Sequence, residues 1–448
     1  MIRREAVREY ATASLWVLPS ISAVLALIIG WLVSQINVAP GSPFAFQGTA
    51  DDARTLLSNI TSTVVTVIAL VLGLTVVALQ LSSTQFSPRL LRNFLRDRPN
   101  QVVLSTFVAT FAYSAAGLYT VGLSAGDRTE EFPRIAVTGA IVLLFASLAM
   151  VVFFADHLAH SIQVDAIGRR VERDTLGVVH GLGTDEHTAP DPPVWAVPIT
   201  ATSSGYLQTV HPELLLPLAS RHHLHIRLRI RVGEHIVAGT ALGWRWHPIP
   251  HAPADTDPDP RVFDRAVDHA IRVGFERTLE QDAAFGIRQL VDMACKALSP
   301  AVNDPYTAVQ AVDHLAVIFC ALAVRPLGDY VAGDPDGPGV VIVPGRRFGD
   351  YLGTMCGLIR RYGSAEPTLV MALLRLLGNC AAVLPVDDPE RWAAVGAQTD
   401  LILDDATRNT GQPADLAPVT AAARTLQRMV SPHLSGDGDD GGAATSHS

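Results

Sequence analysis

The chain of 448 residues is 49% hydrophobic and 17% charged, and its net charge is −9. This composition lies between those of soluble and fully membrane-embedded proteins, and it is typical of a membrane domain joined to a sizeable soluble one. The negative balance argues against a chain-wide nucleic-acid surface. Since Lys296 is the only lysine, a Walker A phosphate loop has no lysine to use.

Four hydrophobic spans are predicted, each long enough to cross a hydrocarbon core of ~30 Å as a helix. They cover residues 12–36, 60–81, 102–123 and 135–154. Trp16 and Trp31 bracket the first span, as interfacial aromatic residues do. A cleaved signal peptide is the alternative for this span, but the apolar run is longer than a signal core needs, which favours a retained anchor.

The arginines predict how these spans are oriented. They cluster before the first span, between the second and third, and after the fourth, whereas the other two connections carry more acidic residues than arginines. The spans predict a transmembrane domain over residues 1–160 of an inner-membrane protein, and the positive-inside rule predicts its orientation. Both termini and the rest of the chain are then expected in the cytoplasm.

The second span carries a stripe of small, hydroxyl-bearing or amide-bearing residues on one helical face. We call it the polar stripe, and it consists of Thr55, Asn59, Ser62, Thr66, Ala69, Gly73, Val76, Gln80, Ser83 and Ser87. A similar stripe in the third span contains Thr106, Thr110, Tyr113, Gly117 and Thr120.

Two interpretations of the polar stripe are open. The two spans pack against each other through their small faces, or the second spans of several subunits line a polar pathway. In the second case Ser62, Thr66, Gln80 and Ser83 are the candidate pathway-lining residues. Arg89 and Arg92 are then the candidate basic residues at the cytoplasmic mouth, where they attract anions or lipid headgroups.

Residues 161–190 predict an amphipathic linker helix, and residues 191–248 predict a small β module. Two short strands are expected around residues 203–205, and a hairpin is expected over residues 235–244. The runs GYLQTV and VGEHIVAGTAL in this segment resemble half of a biotinyl/lipoyl-type barrel-sandwich. Carrier versions of that module need a lysine in the hairpin, and this segment has none, so the resemblance implies a scaffold or spacer.

Between these two runs, apolar and polar residues alternate over residues 223–232, as they do in a strand with one buried face. The expected inward residues are Leu224, Ile226, Leu228, Ile230 and Val232. The expected outward residues form a basic edge of His223, His225, Arg227, Arg229 and Arg231. Such an edge is either a solvated or subunit-facing surface, or a site for phosphates, anionic lipid or an acidic neighbour.

A Pro/Asp-rich linker over residues 249–261 precedes a predicted α-helical domain over residues 262–432, and a glycine- and aspartate-rich tail over 433–448 is expected to be disordered. The predicted helices cover residues 262–279, 283–298, 307–324, 348–362, 368–384, 390–406 and 419–430. The four cysteines form no CxxC pair and are expected to be reduced core residues.

Several polar residues of this domain are expected to converge where its first three helices meet. This predicted polar cluster consists of Glu276, Arg277, Asp282, Asp292, Lys296, Asn303 and Asp304. Asp282 and Asp304 are expected helix N-caps, and Asp292 is spaced to pair with Lys296. The cluster is either a ligand site or a set of caps and interhelical salt bridges. Because no catalytic motif is present, we expect no enzyme activity, cofactor or metal.

The same region carries a family resemblance. The run ERTLEQDAAFGIRQLVDMACKALSPAVNDPYTA, with LGLTVVALQLSSTQFSPRLLRNFLRD after the second span, resembles the bacterial predicted-membrane-protein family catalogued as domain of unknown function 2254. The resemblance covers nearly the whole chain except the tail. It implies four membrane spans and a cytoplasmic region, and it carries no established activity and no catalytic residues.

The sequence thus predicts an α-helical membrane protein with four transmembrane helices and a cytoplasmic region made of a β module and a helical domain. The leading hypothesis is a homo-oligomeric channel- or transport-like protein for an ion or small solute, with a cytoplasmic vestibule or gate. The alternative is a membrane-anchored sensor or assembly scaffold that binds a ligand or partner through its helical domain.

Overall fold

The computed structural model describes residues 16–36, 42, 45–85, 98–124, 132–161, 163–183, 190–249, 257–334 and 337–434. The chain is mostly helical with two small sheets, and it divides into unit 1, Met1–Ile167, and unit 2, Gly168–Ser448. The two units are described separately. Arg89, Arg92 and most of the predicted tail lie outside the described residues, and so does the side chain of Ser83.

Unit 1 contains four long helices, and each of the four predicted spans overlaps one of them. They are α1 Val17–Ser34, α2 Ala50–Gln85, α3 Arg98–Ser124 and α4 Arg134–Ser161. The third helix packs against the other three. With 36 residues, α2 is about 54 Å long, which exceeds the ~30 Å of a hydrocarbon core.

Small residues bring these helices close together. A Cβ added at Gly30 of α1 would lie 3.2 Å from the Cβ of Ala116 on α3, and a Cβ at Gly139 of α4 would collide with the hydroxyl of Tyr113. Glycine thus provides the space that close packing of membrane helices requires. The core between the helices includes the fully buried residues Leu57, Ile60 and Phe107.

Unit 2 is built on two sheets. Its strands are β1 Val197–Thr200, β2 Gly205–Val210, β3 His225–Leu228, β4 His235–Ile236, β5 Ala241–Trp246, β6 Ile271–Gly274, β7 Tyr330–Ala332 and β8 Val340–Val343. One sheet has the order β1-β5-β3-β8-β7 and the other has the order β4-β2-β6. All pairings are antiparallel except that of β3 with β8.

The strands β1, β2 and β3 confirm the prediction for this region, but the predicted hairpin over residues 235–244 is wrong. The strand β4 pairs with β2 in one sheet, while β5 pairs with β1 and β3 in the other. The sheets are also completed by β6, β7 and β8 from the segment predicted to be helical. The sheets therefore extend well beyond residues 191–248.

The helices of unit 2 surround the sheets and form a bundle after them. They are α5 Val164–His180 (which begins just before the unit boundary), α6 Pro212–Arg221, α7 Pro260–Ala270, α8 Ala283–Ala297, α9 Pro305–Ala323, α10 Phe348–Gly363, α11 Pro367–Val383, α12 Pro389–Asn409 and α13 Pro413–Leu434. The sequence missed α6. The predicted helix over residues 262–279 ends at Ala270, where the chain enters β6.

Within the described residues, five helices are long and apolar enough to cross a membrane, judged by length and composition. Four of them are α1 to α4, and the fifth is α9 in unit 2. The helix α9 packs against α8 and α11. It buries nine residues, among them Leu315, Phe319 and Leu322.

Candidate functional site

The polar stripe of α2 lies on the surface of unit 1. The side chains of Thr55, Asn59, Ser62, Thr66 and Gln80 are all exposed. A Cβ added at Gly73, in the same stripe, would meet no atom within 4 Å. Of the candidate pathway-lining residues, the structure therefore places Ser62, Thr66 and Gln80 along one open face of unit 1.

The opposite face of α2 is the one that packs inside unit 1. It buries Ala53, Leu57, Ile60, Val64, Val71 and Ala78. The interpretation that the polar stripe packs against the small face of the third span is therefore wrong within the subunit. The apolar face takes that place, where its Val, Ile and Leu side chains gain van der Waals contacts with the neighbouring helices.

The stripe of α3 is used differently. The hydroxyl groups of Thr110 and Ser147 lie 2.8 Å apart between α3 and α4, and both residues are buried. Tyr113 is buried against Gly139 of α4. Polar groups of α3 thus bond to α4, whereas the described side chains of the α2 stripe make no hydrogen bond to another helix.

Hydrogen bonding within the stripe is sparse. The hydroxyl of Thr66 donates to the carbonyl of Ser62 at 3.0 Å, which satisfies it within its own helix. The side-chain amides of Asn59 and Gln80 have no hydrogen-bond partner among the described residues. These amides each offer two donors and an acceptor to whatever covers this face.

Unit 2 contains a cavity of about 600 Å³. Its wall is formed by the end of α5, the β2–α6 junction, the turn before β4, the segment before α8, and the loops on either side of β7 and β8. Its charged and tyrosine residues are Glu213, Arg231, Glu280, Asp282, Asp329, Tyr330, Arg346 and Tyr351. A volume of this size is in the usual range for small-molecule sites.

Asp282 anchors one wall of the cavity. One carboxylate oxygen accepts from the backbone N–H of Phe285 at 3.2 Å and caps α8, as predicted. The other accepts two hydrogen bonds from the Arg277 guanidinium, at 2.9 and 2.6 Å. Burial raises the pKa of Asp282, and the positive charges of Arg277 and Arg346 oppose that rise. Because both oxygens are engaged, Asp282 serves to hold the wall in place.

Two arginines and a tyrosine also contribute polar groups to the wall of the cavity. The guanidinium of Arg231 lies 3.3 Å from a carboxylate oxygen of Asp350, and that of Arg346 lies 3.9 Å from one of Glu234. Burial raises the pKa of Tyr351 to about 12, although Arg346 and Arg231 act in the opposite direction. The phenol is therefore a neutral hydrogen-bond donor at physiological pH.

The predicted polar cluster is divided between two places. Only Asp282 lines the cavity, with Arg277 bonded to it, and the backbone carbonyl of Glu276 accepts from Gln208 at 2.6 Å. Lys296 lies in the last turn of α8, about 20 Å from Asp282 along a helix of 15 residues, and Asn303 and Asp304 follow that end of the helix.

The remaining members of the cluster have structural partners. Asp304 caps α9 by accepting from the backbone N–H of Thr307 at 3.1 Å, as predicted. Asp292 is bonded to Arg288 at 2.8 Å, one helical turn before it, and not to Lys296 as its spacing suggested. Asn303 takes a positive φ of 50° in the turn that leads into α9.

The predicted basic edge is mostly engaged within the chain. His225, expected to point outward, is buried beside Trp246 with ring centroids 5.6 Å apart, because β3 is a central strand. Arg227 bonds to Asp329 at 2.9 Å, and Arg229 donates to the carbonyl of Ala241 at 2.8 Å. The sequence missed the cavity residues Arg346 and Tyr351, because no spacing pattern links them to residue 282.

Similarity to known proteins covers both units. The family model described as "Predicted membrane protein (DUF2254)" matches residues 12–379. The chain belongs to this family. The DUF2254 match confirms the family resemblance expected from the sequence, and together with the apolar helices of unit 1 it indicates a multi-pass membrane protein.

Relatives of this DUF2254 protein include three that are named only as uncharacterised proteins, from Mycobacterium bovis and two strains of Mycobacterium tuberculosis. Each is 43% identical over 444 residues, which is 96% of this chain and 83% of the relative. No solved structure matches the chain. Function must therefore be inferred from the geometry of the two units.

Proposed function

We propose that this protein is the subunit of a homo-oligomeric channel- or transport-like protein of the bacterial inner membrane, passing an ion or small solute. The observation that carries the proposal is the exposed polar stripe of α2, with Ser62, Thr66 and Gln80 on one open face. Four helices are too few to enclose much of a pore, so the pathway requires several subunits arranged around a common axis.

The cost of polar groups in lipid supports this arrangement. An amide or hydroxyl in hydrocarbon loses its hydrogen bonds to water, which is unfavourable by several kcal/mol for an unpaired group. Asn59 and Gln80 offer amide groups without partners among the described residues. Water in a shared pathway, or polar groups of a second subunit, would satisfy them where lipid would not.

We further propose that α1 to α4 are the membrane spans and that α9 is a core helix of unit 2. Asp313 and His314, near the middle of α9, are bonded to Arg375 and Glu172 at 2.6 Å each. Polar residues of this kind are costly at mid-membrane depth. The arginine distribution then places both termini and unit 2 in the cytoplasm. A reporter enzyme that works only in the cytoplasm should be active when it is fused to the C-terminus. A reporter that works only outside the cytoplasm should be inactive there.

Cysteine accessibility tests whether the stripe faces water. All four native cysteines lie in unit 2, so single cysteines in α2 are distinguishable from the parent protein. In reconstituted vesicles, a membrane-impermeant thiol reagent should modify Thr66→Cys and reduce flux driven by voltage or an osmotic gradient. The matched control is Leu74→Cys, which is exposed but lies about 80° around the helix from Thr66, on the side away from the stripe, and should not react.

Three outcomes separate the hypotheses. Labelling at Thr66→Cys with measurable flux supports the pathway. Crosslinking between subunits through Thr66→Cys, with no labelling and no flux, places the stripe in a dry interface and overturns conduction in favour of a scaffold. If neither Thr66→Cys nor Leu74→Cys is labelled or crosslinked and no flux is measured, the stripe faces lipid, and both hypotheses are overturned.

The second candidate function is a membrane-anchored sensor that binds a ligand through unit 2. The observation that favours it is the cavity of about 600 Å³ with Arg231, Arg346 and Tyr351 in its wall. Ligand binding to the purified protein without any flux would support the sensor over the channel. Ligand-dependent flux would join the two functions, with unit 2 acting as a gate.

A further inference from the structure

Arg346 is a mostly buried cation whose hydrogen-bonding capacity is unused. Its side chain is 16% exposed, and its ion-pair partner, Glu234, lies 3.9 Å away, beyond hydrogen-bond distance. Among the described residues, no hydrogen bond is made by its guanidinium. A guanidinium has five N–H donors in a planar fork that matches carboxylate and phosphate groups. Arg346 lines the cavity, so these donors are available to a molecule inside it.

Tyr351 is a second, independent sign that the cavity binds a ligand. Its side chain is 5% exposed and lines the same cavity. In the described part of the chain, its hydroxyl has no hydrogen-bond partner. The hydroxyl oxygen keeps some accessible surface, so it can donate to an acceptor on a ligand in the cavity. Arg231 pairs with Asp350, the residue before Tyr351, and its backbone N–H bonds to the Glu234 carboxylate that also faces Arg346, so the three groups share one end of the cavity.

Three of the four acidic residues that line the cavity are paired with other cations, and the fourth, Glu213, has no ion pair among the described residues. Asp282 is bonded to Arg277, Glu280 to Arg272, and Asp329 to Arg227. Arg231 and Arg346 have acidic neighbours, Asp350 and Glu234, but at distances that leave their N–H groups unsaturated. The charge of this end is thus balanced, while its hydrogen-bond donors are in excess. A ligand rich in acceptors and carrying negative charge fits that excess.

We propose that the cavity binds a small organic anion, whose phosphate or carboxylate group is held by Arg346, Arg231 and the hydroxyl of Tyr351. Val232, Leu327 and Val343 in the wall contact the apolar part of the ligand. This inference rests on the sensor as the second candidate function and names its ligand class. It does not depend on conduction, since binding by unit 2 is measured separately from flux.

Calorimetric titration of the full-length protein in nanodiscs of zwitterionic lipid tests the proposal. The probes are phenyl phosphate, benzoate, inorganic phosphate and the uncharged benzyl alcohol. Phenyl phosphate or benzoate should bind at least tenfold more tightly than benzyl alcohol and than inorganic phosphate, which lacks the apolar part. Arg346→Gln should weaken anion binding at least tenfold. Tyr351→Phe should weaken it two- to tenfold, the range expected for one hydrogen bond.

The matched control is Arg347→Gln. Arg347 is the next residue, but its side chain is 70% exposed, pairs with Glu390 and does not line the cavity. It should leave anion binding unchanged. A melting temperature close to that of the parent shows that each variant is folded. Equal binding of anions and benzyl alcohol, no binding of any probe, or equal effects of Arg346→Gln and Arg347→Gln overturns the proposal.

A second titration identifies the source of the anion. Nanodiscs containing phosphatidylglycerol present the same phosphate chemistry on a lipid headgroup. If phosphatidylglycerol weakens the binding of phenyl phosphate to the parent protein but not to Arg346→Gln, the result supports a lipid headgroup as the ligand. If phenyl phosphate binds equally well with and without phosphatidylglycerol, the result supports a soluble anion. If the protein binds the anion but shows no flux, only the channel proposal is contradicted. Absent anion binding with flux intact contradicts only the cavity ligand and the sensor it defines.

Discussion

The hydroxyl groups of Thr110 and Ser147 form a hydrogen bond of 2.8 Å across the α3–α4 contact in the buried interior of unit 1. This contact distinguishes the two polar faces that the sequence presents as equivalent. The face of α3 is used to hold the four helices together. The face of α2 is left open and is available to another subunit or to water.

Removing this hydrogen bond should destabilise unit 1 modestly. Interhelical hydrogen bonds in membranes contribute about 0.6 kcal/mol on average and up to about 1.7 kcal/mol. We expect Thr110→Val and Ser147→Ala each to lower the free energy of unfolding within that range. The double variant should cost less than the sum of the two, because both remove the same bond. Unfolding in mixed micelles measures the cycle, and strict additivity would contradict a direct bond.

Glycine substitutions should separate the packed and open faces of unit 1. Gly139→Ala places a methyl group against the buried Tyr113 hydroxyl, and overpacking of this kind costs about 1–3 kcal/mol. Gly73→Ala meets no atom within 4 Å and gains helix propensity of up to about 1 kcal/mol. The melting temperature should decrease for Gly139→Ala and should not decrease for Gly73→Ala. The reverse order would contradict the packing described for α3 and α4.

His225 should make unit 2 sensitive to acid. Burial lowers the pKa of His225, so the folded state disfavours the imidazolium that the unfolded chain forms below its ordinary pKa of ~6.5. The stability that depends on a neutral His225 is fully present above pH ~6.5. It is lost as the pH falls below ~6.5, toward the lowered pKa of His225 in the folded state. Melting temperatures between pH 7.5 and 5 should fall less for His225→Phe than for the parent. His269→Phe, an exposed histidine on α7, should behave as the parent does.

Asp304 provides a pH dependence of the opposite type. Hydrogen bonds from Thr307 lower the pKa of this N-cap, so its stabilisation is present above the ordinary pKa of 3.8 and is lost as the pH falls through the lowered folded value. Asp304→Ala should cost about 1 kcal/mol at neutral pH. Asp304→Asn should keep most of the cap but remove the dependence below pH ~4. A pH profile of Asp304→Asn that matches the parent would contradict this assignment.

Local patterns predicted the features that depend on local physics. Hydrophobic length located α1 to α4, and the expected N-caps Asp282 and Asp304 located the starts of α8 and α9. Period-two alternation located β3. These signals depend on residues that lie close together in the sequence, so they can be recognised without knowledge of the fold.

Long-range pairing explains what the sequence did not reveal. Residues 225–227 of β3 pair in parallel with residues 340–342 of β8, and that pairing buries the ring of His225 despite an alternation that placed it outward. The β6 strand of four residues follows α7 without a break, so the helical pattern masked it. The cavity joins loops from distant segments. Nothing local to Arg346 or Tyr351 indicates that they face Asp282.

Arg391 offers the sharpest test of the bundle in unit 2. Its side chain is 8% exposed and bonds to Asp388 at 2.7 Å, and it donates to the carbonyl of Ala323 at 2.7 Å. It therefore links the start of α12 to the end of α9. Arg391→Met leaves a carboxylate and a carbonyl without their cation, and because Asp388 is 27% exposed the cost should lie between the ~1 kcal/mol of an exposed pair and the ~3–5 kcal/mol of a fully buried one.

The control for Arg391→Met is Arg375→Met. Arg375 forms an ion pair with Asp313 at a similar distance, but both side chains are about half exposed, so its loss should cost at most about 1 kcal/mol. Adding Asp388→Asn to Arg391→Met should recover part of the stability, because it removes the uncompensated charge and keeps a side-chain acceptor for the N-cap of α12. Denaturant unfolding monitored by tryptophan fluorescence measures all four proteins. If Arg391→Met and Arg375→Met were equally mild, Arg391 would not connect α9 to α12 energetically, and α9 would be held in the bundle by its apolar residues alone.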